Sequence, residues 1–250
     1  MVHEFPLSPE RYWSLFAEES ASFLKAYSRA QLTERIPSCP SWSVADLGRH
    51  LGGIYHRAAD ILESTSQVSM VVADDRIPKV DEGVAAWLVD GTARLMELLM
   101  TTDPTAPLWT FNGPAPVAFW SRRLVHESMV HTFDLEELHR PLHAPAVESL
   151  ADGIDEFFPV HLRRKLRGHP ADGLNGYLGI NTTDSDDRWV LQLTPDSVAV
   201  EAPTTPTDAE LSGKAFDLLM FLWRRSDTAP LEISGDNAIV MAYQNNVDLT

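Results

Sequence analysis

Four long segments of the first 138 residues repeat apolar side chains at helical spacing, and prolines interrupt the chain between them. This periodicity predicts helices over about residues 9–30, 44–61, 81–100 and 117–138. Two prolines in residues 36–42 and four in residues 101–116 prevent a helix from continuing through either stretch. Four helices of this length, joined by loops, predict a four-helix bundle.

The starts of the first two helices are marked by serine residues. Ser8 is expected to cap the first helix, and Ser43 the second, with Asp46 in the first turn to complement the helix dipole. Gly52 and Gly53 lie in the middle of the second helix, where each costs about 1 kcal/mol relative to alanine. We therefore expect another helix to approach closely at this point.

The pattern changes after residues 139–145, HRPLHAP, which form the best candidate linker. Beyond them the sequence predicts helices over 147–168, 208–225 and 236–243, and strands over 177–181, 188–194, 198–202 and 231–233. Clustered strands with flanking helices are typical of an α+β domain with an antiparallel sheet. The predicted domains are residues 1–143 and 144–250.

Charge and composition exclude several classes of partner. The net charge of −16 argues against binding nucleic acid or an anionic membrane, because both require a basic surface. The apolar run at residues 218–223 is far too short to span a bilayer, and residues 1–13 lack the basic and apolar regions of a signal peptide. Cys39 is the single cysteine, so no intrachain disulfide can form. We expect a cytoplasmic monomer that acts on small molecules.

Glu127 and His131 are the first candidate site residues. Four residues apart on a predicted helix, they share one face at about 5–6 Å between Cβ atoms, close enough to share a metal ion. The pattern ExxxH is common by chance, and a solvated pair is the alternative. However, Arg123 and Asp134 extend the same polar stripe. Such a stripe must either face water or form a buried polar network, which would call for a metal or dense pairing.

His50 is the natural third ligand if the second and fourth helices face each other; the alternative is a histidine at the core edge, bonded to a backbone carbonyl. Two histidines and one glutamate form the ligand set of a catalytic zinc with an open fourth position, and the same donors suit nickel or iron. His126 is expected to face solvent or the second domain, His56 the opposite side of its helix. Cys39 is expected to be a small buried apolar residue.

Three motifs together resemble the mycothiol-dependent maleylpyruvate isomerase family. Residues 39–51 resemble its CPxWxxxDLxxHL opening, residues 123–134 its RxxxExxxHxxD motif, and residues 213–225 its GxAxDLLLxLWxR segment. The resemblance covers about residues 9–245. It implies a DinB-like four-helix bundle that holds a divalent metal, usually zinc, followed by a smaller α/β domain resembling sterol carrier protein 2 (SCP2).

The resemblance also implies roles for individual residues. It implies that the metal ligands are His50, Glu127 and His131, that Arg123 and Asp134 bind the cofactor, and that Arg225 or Arg224 faces the substrate. Arg225 matches the arginine of LWxR, whereas Arg224 stands where a glycine is common.

The implied reaction uses mycothiol as a thiol co-substrate. Its thiolate would add to the cis double bond of maleylpyruvate, and rotation followed by loss of the thiol would give fumarylpyruvate. Family membership does not fix the substrate. The alternatives are a mycothiol S-transferase for electrophiles, a non-catalytic metal-binding or regulatory protein, and a protein whose metal is structural only.

Overall fold

The computed structural model describes residues 5–64, 75–138 and 145–247. The chain divides into two compact units, Met1–Pro145 and Ala146–Thr250. Most of the predicted linker, residues 139–144, lies outside the described residues. So do residues 65–74 of the loop that the sequence predicts between the second and third helices.

Four long helices form the described part of the first unit, as the sequence predicts. They are α1 (Pro9–Tyr27), α2 (Val44–Glu63), α3 (Val84–Thr101) and α4 (Ala118–Glu136), and a 3₁₀ turn at Asp81–Gly83 precedes α3. Helix α1 packs on α4 and α3, and α2 packs on α3 and α4. Their facing sides bury Tyr12, Phe16, Phe23, Leu47, Leu51, Tyr55, Leu88, Leu95 and Leu124. The predicted four-helix bundle is confirmed.

Local capping fixes where α1 and α2 begin. The Ser8 hydroxyl accepts a hydrogen bond from the backbone N–H of Arg11. Ser43 and Asp46 form a reciprocal capping box at the start of α2, in which each side chain accepts a hydrogen bond from the other residue's backbone N–H. Both predicted caps are therefore present, and the second fixes the start of the helix that carries His50.

Glycine permits close packing along α2. A Cβ atom at Gly52 would lie 2.7 Å from the ring of Trp87 on α3, and one at Gly48 would lie 2.6 Å from the ring of Tyr27. A Cβ at Gly53 would meet nothing nearer than 3.9 Å. The predicted close approach of another helix thus occurs at Gly52, whose cost in helix propensity is offset by packing against Trp87.

Two short hairpins replace stretches that the sequence predicts as irregular connectors. Strands β1 (Arg35–Ile36) and β2 (Cys39–Ser43) pair antiparallel before α2, and β3 (Pro107–Leu108) pairs with β4 (Ala115–Pro116) before α4. The prolines exclude helix, as expected, but they are tolerated in these edge strands. The first hairpin places Ser38 and Trp42 beside the bundle.

The described part of the second unit combines helices with a five-stranded sheet. Its helices are α5 (Val147–Phe157), α6 (Arg163–Gly168), α7 (Ala215–Leu222) and α8 (Asn237–Asn246), with a π-helical turn at Phe158–Leu162. Its strands are β5 (Gly176–Thr182), β6 (Arg188–Thr194), β7 (Ser197–Glu201), β8 (Ala209–Gly213) and β9 (Glu232–Gly235). They are arranged in the order β7-β6-β5-β8-β9. All pairings are antiparallel except β5 with β8. The two-domain α+β class is confirmed.

Two predicted helices in this unit are wrong in detail. Residues 208–225 are not one helix, because Ala209–Gly213 form strand β8, which pairs with β5 on one side and β9 on the other. Pairing on both sides overrides the helical preference of Ala and Glu. Residues 147–168 are interrupted by the π turn, which contains Pro159. A proline has no N–H to continue the helical ladder, so the hydrogen bonding changes there.

Within the described residues, no helix is long and apolar enough to cross a membrane.

Candidate metal centre

Helices α2 and α4 face each other and carry the candidate ligands. The hydroxyl groups of Tyr55 on α2 and Ser128 on α4 share a buried hydrogen bond of 2.7 Å, which links the two helices next to the site. Helix α4 is buried along nearly its whole length although it carries many polar residues. Its polar stripe therefore forms a buried network, which is one of the two outcomes expected from the sequence.

Two imidazoles converge on one carboxylate oxygen. Nε2 of His50 lies 3.4 Å from Oε1 of Glu127, and Nε2 of His131 lies 3.3 Å from the same oxygen. One ligand atom from each of the three residues lies within 4.8 Å of the other two. The exposed fraction of the side chain falls from 36% at His50 to 14% at Glu127 and 8% at His131. The group is thus open to solvent on the His50 side.

This spacing fits a small divalent cation. Nitrogen and oxygen ligands bound tetrahedrally at 2.0–2.2 Å stand roughly 3.3–3.6 Å from one another. The distances from the two Nε2 atoms to Oε1 are 3.4 and 3.3 Å, within that range. Imidazole nitrogen and carboxylate oxygen are donors that suit zinc, nickel and iron. His50, Glu127 and His131 could therefore hold a metal with a further coordination position left open.

Arg123 and Asp134 contact the candidate ligands. Nη2 of Arg123 donates to Oε2 of Glu127 at 2.5 Å, and the arginine side chain is 3% exposed. Nδ1 of His131 lies 2.8 Å from Oδ2 of Asp134, whose side chain is fully buried. The prediction that Arg123 and Asp134 bind the cofactor stays a prediction. What the geometry supplies is a second layer that orients Glu127 and His131.

The sequence does not single out Ser38 as a site residue, and it gives Trp42 no role beyond its place in the family motif. The Ser38 hydroxyl donates to Oδ1 of Asp134 at 2.5 Å, although 96 residues separate them. The Trp42 ring lies 4.7 Å from the ring of His50, centroid to centroid. Both come from the hairpin that precedes α2. Trp42 lies within the quoted family motif and Ser38 immediately precedes it, and that position is the only sequence signal for them.

Burial and neighbouring charged groups shift the pKa values of the three candidate ligands, and the two effects oppose each other at Glu127 and His131. Burial opposes ionisation of Glu127, but Arg123 and the two imidazoles outweigh it and hold its pKa well below the usual value. Burial also opposes the charged form of His131, yet hydrogen bonds to Asp134 and Glu127 raise its pKa to about 9. The pKa of His50 is lowered, mainly by burial. A proton on His131 thus lies where a bound cation would replace it.

The other predicted residues lie elsewhere. Arg224 and Arg225 follow α7 in the second unit, and their predicted role towards the substrate stays a prediction. His126 is 1% exposed, so it does not face solvent; the other expected orientation, towards the second domain, stays a prediction. His56 is buried with Nε2 3.0 Å from the carbonyl oxygen of Trp87. Cys39 is half-buried in β2, rather than buried as expected.

The model of the mycothiol maleylpyruvate isomerase N-terminal domain matches residues 13–136, which include all three candidate ligands. Residues 13–136 belong to this domain family. Two crystal structures of the mycothiol-dependent maleylpyruvate isomerase, one of them a histidine-to-alanine mutant, match 92% of this chain over 95% of theirs. Their TM-scores are 0.62 for the unmutated protein and 0.60 for the mutant, each at 13% identity, so this likeness shows the fold.

Another solved structure matches a smaller part of the chain. Sterol carrier protein 2 like 2 from Aedes aegypti matches 38% of this chain over 94% of its own, at 15% identity and a TM-score of 0.29. No curated protein matches the chain significantly.

Proposed function

We propose that the chain is a metal- and thiol-dependent isomerase, which converts the cis double bond of a small unsaturated acid such as maleylpyruvate to the trans form with mycothiol as co-substrate. The observation that carries this proposal is the convergence of both Nε2 atoms on Oε1 of Glu127. It is supported by the membership of residues 13–136 in the maleylpyruvate isomerase N-terminal domain family.

His50, Glu127 and His131 would hold the metal, for which zinc is the first choice and nickel or iron the alternatives. When bound, a divalent ion supplies a Lewis-acidic position at which a thiol ionises near neutral pH. Partial exposure of His50 keeps that position accessible to a thiol from solvent.

The surrounding residues orient the candidate ligands and keep Glu127 ionised, and the proton that His131 carries at neutral pH would leave when a cation binds. Asp134 accepts a hydrogen bond from Nδ1 of His131, which leaves Nε2 to face Glu127 and His50. Ser38 fixes Asp134 by donating to its other oxygen. Arg123 keeps Glu127 ionised despite burial. Neutral imidazole and ionised carboxylate are the protonation states of metal ligands.

The proposed reaction leaves the thiol unchanged overall. The thiolate sulfur forms a bond to one alkene carbon while the double-bond electrons move towards the carbonyl. Rotation about the resulting single bond follows, and elimination of the thiolate restores the double bond in the trans form. On the family resemblance, Arg225 or Arg224 binds a carboxylate of the acid.

The test compares two reactions of the purified, zinc-loaded protein with mycothiol. Maleylpyruvate tests the isomerase, and a bimane-labelled electrophile tests the S-transferase alternative, which the same three ligands would also serve. Free thiol is titrated during turnover, because an isomerase consumes none and a transferase consumes one per product. Turnover of neither substrate would contradict both enzymatic versions.

Elemental analysis separates the enzyme from a non-catalytic protein. We expect nearly one metal ion per chain, and its loss in His131→Ala. A chain without metal would favour the regulatory alternative. Metal that is retained without turnover, in a protein that His50→Ala strongly destabilises, would favour a structural metal.

A further inference from the structure

Arg57 lies on the same face of α2 as His50. Seven residues separate the two, which is two helical turns, or about 10 Å along the helix axis. The arginine is half-buried, between the buried residues His56 and Ala58. Its positive charge is close enough to contribute to the lowered pKa of His50, and the charge of Glu127 acts in turn on Arg57. Arg57 therefore borders the candidate metal centre.

Among the described residues, the Arg57 side chain lacks the ion pairs that Arg49 and Arg94 form. Its Nε atom is buried and has no hydrogen-bond partner among the residues that the structure describes. Across residues 5–64, 75–138 and 145–247, no carboxylate forms an ion pair with it. By contrast, Arg49 on the same helix pairs with Asp46 and Asp81, and Arg94 pairs with Asp60 and Glu63. A half-buried guanidinium without a partner is costly, so it points to a ligand that supplies one.

The charge balance of the site indicates the sign of that ligand. Among the charged side chains that act on the three ligands, the guanidinium groups of Arg57 and Arg123 balance the carboxylates of Glu127 and Asp134. A divalent cation between neutral imidazoles would add two positive charges that these side chains do not compensate. One thiolate and one carboxylate would neutralise them. The thiolate would be the ligand of the metal that His50, Glu127 and His131 would hold, so the carboxylate belongs to the second reactant.

We propose that Arg57 binds a carboxylate group of the electrophilic substrate, beside His50, Glu127 and His131. This inference rests on the proposed function and adds to it a substrate-binding residue in the first unit. A guanidinium suits the role because it remains charged and can donate two parallel hydrogen bonds to a carboxylate. The unpartnered Nε of Arg57 is one of the donors that such a pair can use.

The test measures binding of succinate, an unreactive dicarboxylate, to the zinc-loaded full chain by calorimetry. Arg57→Gln is expected to weaken succinate binding roughly tenfold or more, because a charged hydrogen bond is lost. Arg57→Lys, which keeps the charge without the fork, should recover part of the loss. Arg49→Gln is the matched control: it removes a charge from the same helix but from an ion-paired side chain, and should leave binding unchanged.

Uncharged succinamide tests whether the contact is with a carboxylate. The unmodified chain should prefer succinate to succinamide, and Arg57→Gln should remove the preference. Equal succinate affinity in the unmodified chain and in Arg57→Gln would overturn the proposal, as would failure of the unmodified chain to bind succinate. An equal loss in Arg49→Gln would also overturn it, because a general effect of charge would then explain the result.

Steady-state kinetics identify the reactant that carries the carboxylate. With maleylpyruvate and mycothiol, Arg57→Gln should raise the KM for the acid about tenfold and leave the KM for the thiol unchanged. A rise for the thiol alone would overturn the assignment. Failure of the proposed function would show instead as absence of metal or of turnover, and the succinate titration, repeated on that protein, would still decide whether Arg57 binds a carboxylate.

Discussion

Each unit contains a glutamate held by an arginine, but the two carboxylates have different neighbours. Glu127 in the first unit accepts from Arg123 at 2.5 Å through one oxygen, and its other oxygen faces two imidazoles. Glu210 in the second unit accepts from both terminal nitrogens of Arg188, each at 2.8 Å. The Glu210 carboxylate also accepts hydrogen bonds from an amide and a hydroxyl group.

The two glutamates differ in whether the side chains around them can act as metal ligands. The partners of Glu210 are an arginine, an asparagine amide and a threonine hydroxyl; the guanidinium and amide nitrogens that donate to it have no lone pair for a cation, and only the hydroxyl oxygen has one. The imidazoles beside Glu127 can lose their protons and present lone pairs to a cation. A carboxylate paired with an arginine is thus not by itself a metal site; neighbours that can become ligands make it one.

The largest expected effect comes from removing the negative charge of Glu127. Glu127→Gln should lower bound metal from nearly one ion per chain to nearly none, and isomerase activity at least about a hundredfold. It should also lower the free energy of unfolding of the metal-free protein by about 3 kcal/mol, because buried Arg123 loses its ion pair with Glu127. Elemental analysis, activity assays and denaturant titration measure the three effects.

Glu210→Gln is the matched control for that experiment. Because Glu210 and Arg188 are 27% and 33% exposed, we expect a loss of only about 1 kcal/mol and no change in bound metal. Equal metal content in Glu127→Gln and Glu210→Gln would show that the contrast between the two carboxylates has no bearing on metal binding.

The next effect concerns the residues behind the ligands. Asp134→Ala should weaken metal affinity about 10- to 100-fold, because His131 loses the partner that fixes its ring and tautomer. Ser38→Ala should have a smaller effect in the same direction, since it acts through Asp134. Competition with a metal-binding dye measures both affinities. Asn181→Ala, which removes a partner of Glu210, should leave the affinity unchanged; a similar drop there would indicate general loss of stability.

The sequence predicts the site residues that lie together on one helix better than those that other elements bring to it. Glu127 and His131 follow from helical spacing alone, and Arg123 and Asp134 extend the same stripe. His50 requires two helices to face each other, which a four-helix bundle makes plausible but does not specify. The structure brings its Nε2 to within 3.4 Å of Glu127.

What could not be predicted depends on long-range contacts. Ser38 reaches Asp134 across 96 residues, and no local pattern distinguishes it from any other loop serine. In the sequence Arg57 resembles an ordinary surface arginine, and only the structure shows that no carboxylate of the described residues pairs with it. Strand β8 has a period-2 burial pattern but only five residues, next to a strongly helical stretch. Its pairing with two other strands, rather than its composition, decides its conformation.

A smaller effect tests which arginine of the second unit is under structural constraint. Arg224 has a φ of 62° and follows the C-cap residue of α7. The N–H groups of Arg224 and Arg225 bond to the carbonyls of Phe221 and Met220, which is the Schellman arrangement that favours glycine at the position of Arg224. Glycine would meet this backbone requirement without strain.

Arg224→Gly should therefore raise the free energy of unfolding by about 1 kcal/mol, because glycine adopts positive φ without steric cost. Thermal unfolding measures the change, and Arg225→Gly is the control that should not stabilise. Destabilisation by Arg224→Gly would mean that its side chain contributes more than its backbone costs. A fall in kcat/KM together with a higher melting temperature would identify Arg224, rather than Arg225, as the residue that faces the substrate.

The smallest expected effect returns to Glu210 and concerns pH. Hydrogen bonding to Arg188 is the main cause that lowers the pKa of Glu210 from 4.5 to about 2. Because the folded-state pKa lies below the unfolded value, the pair stabilises above about pH 4.5, and this contribution is lost as the pH falls towards 2. Since both side chains are partly exposed, the pH-dependent part of the stabilisation should be below about 1 kcal/mol.

Denaturant titrations at pH 6 and pH 3 should show a smaller decrease in the free energy of unfolding in Glu210→Gln than in the unmodified chain, whereas Glu201→Gln on β7 should behave like the unmodified chain. An identical decrease in Glu210→Gln would mean that solvent already screens the pair, and the contrast with buried Glu127 would then be one of burial as much as of neighbours.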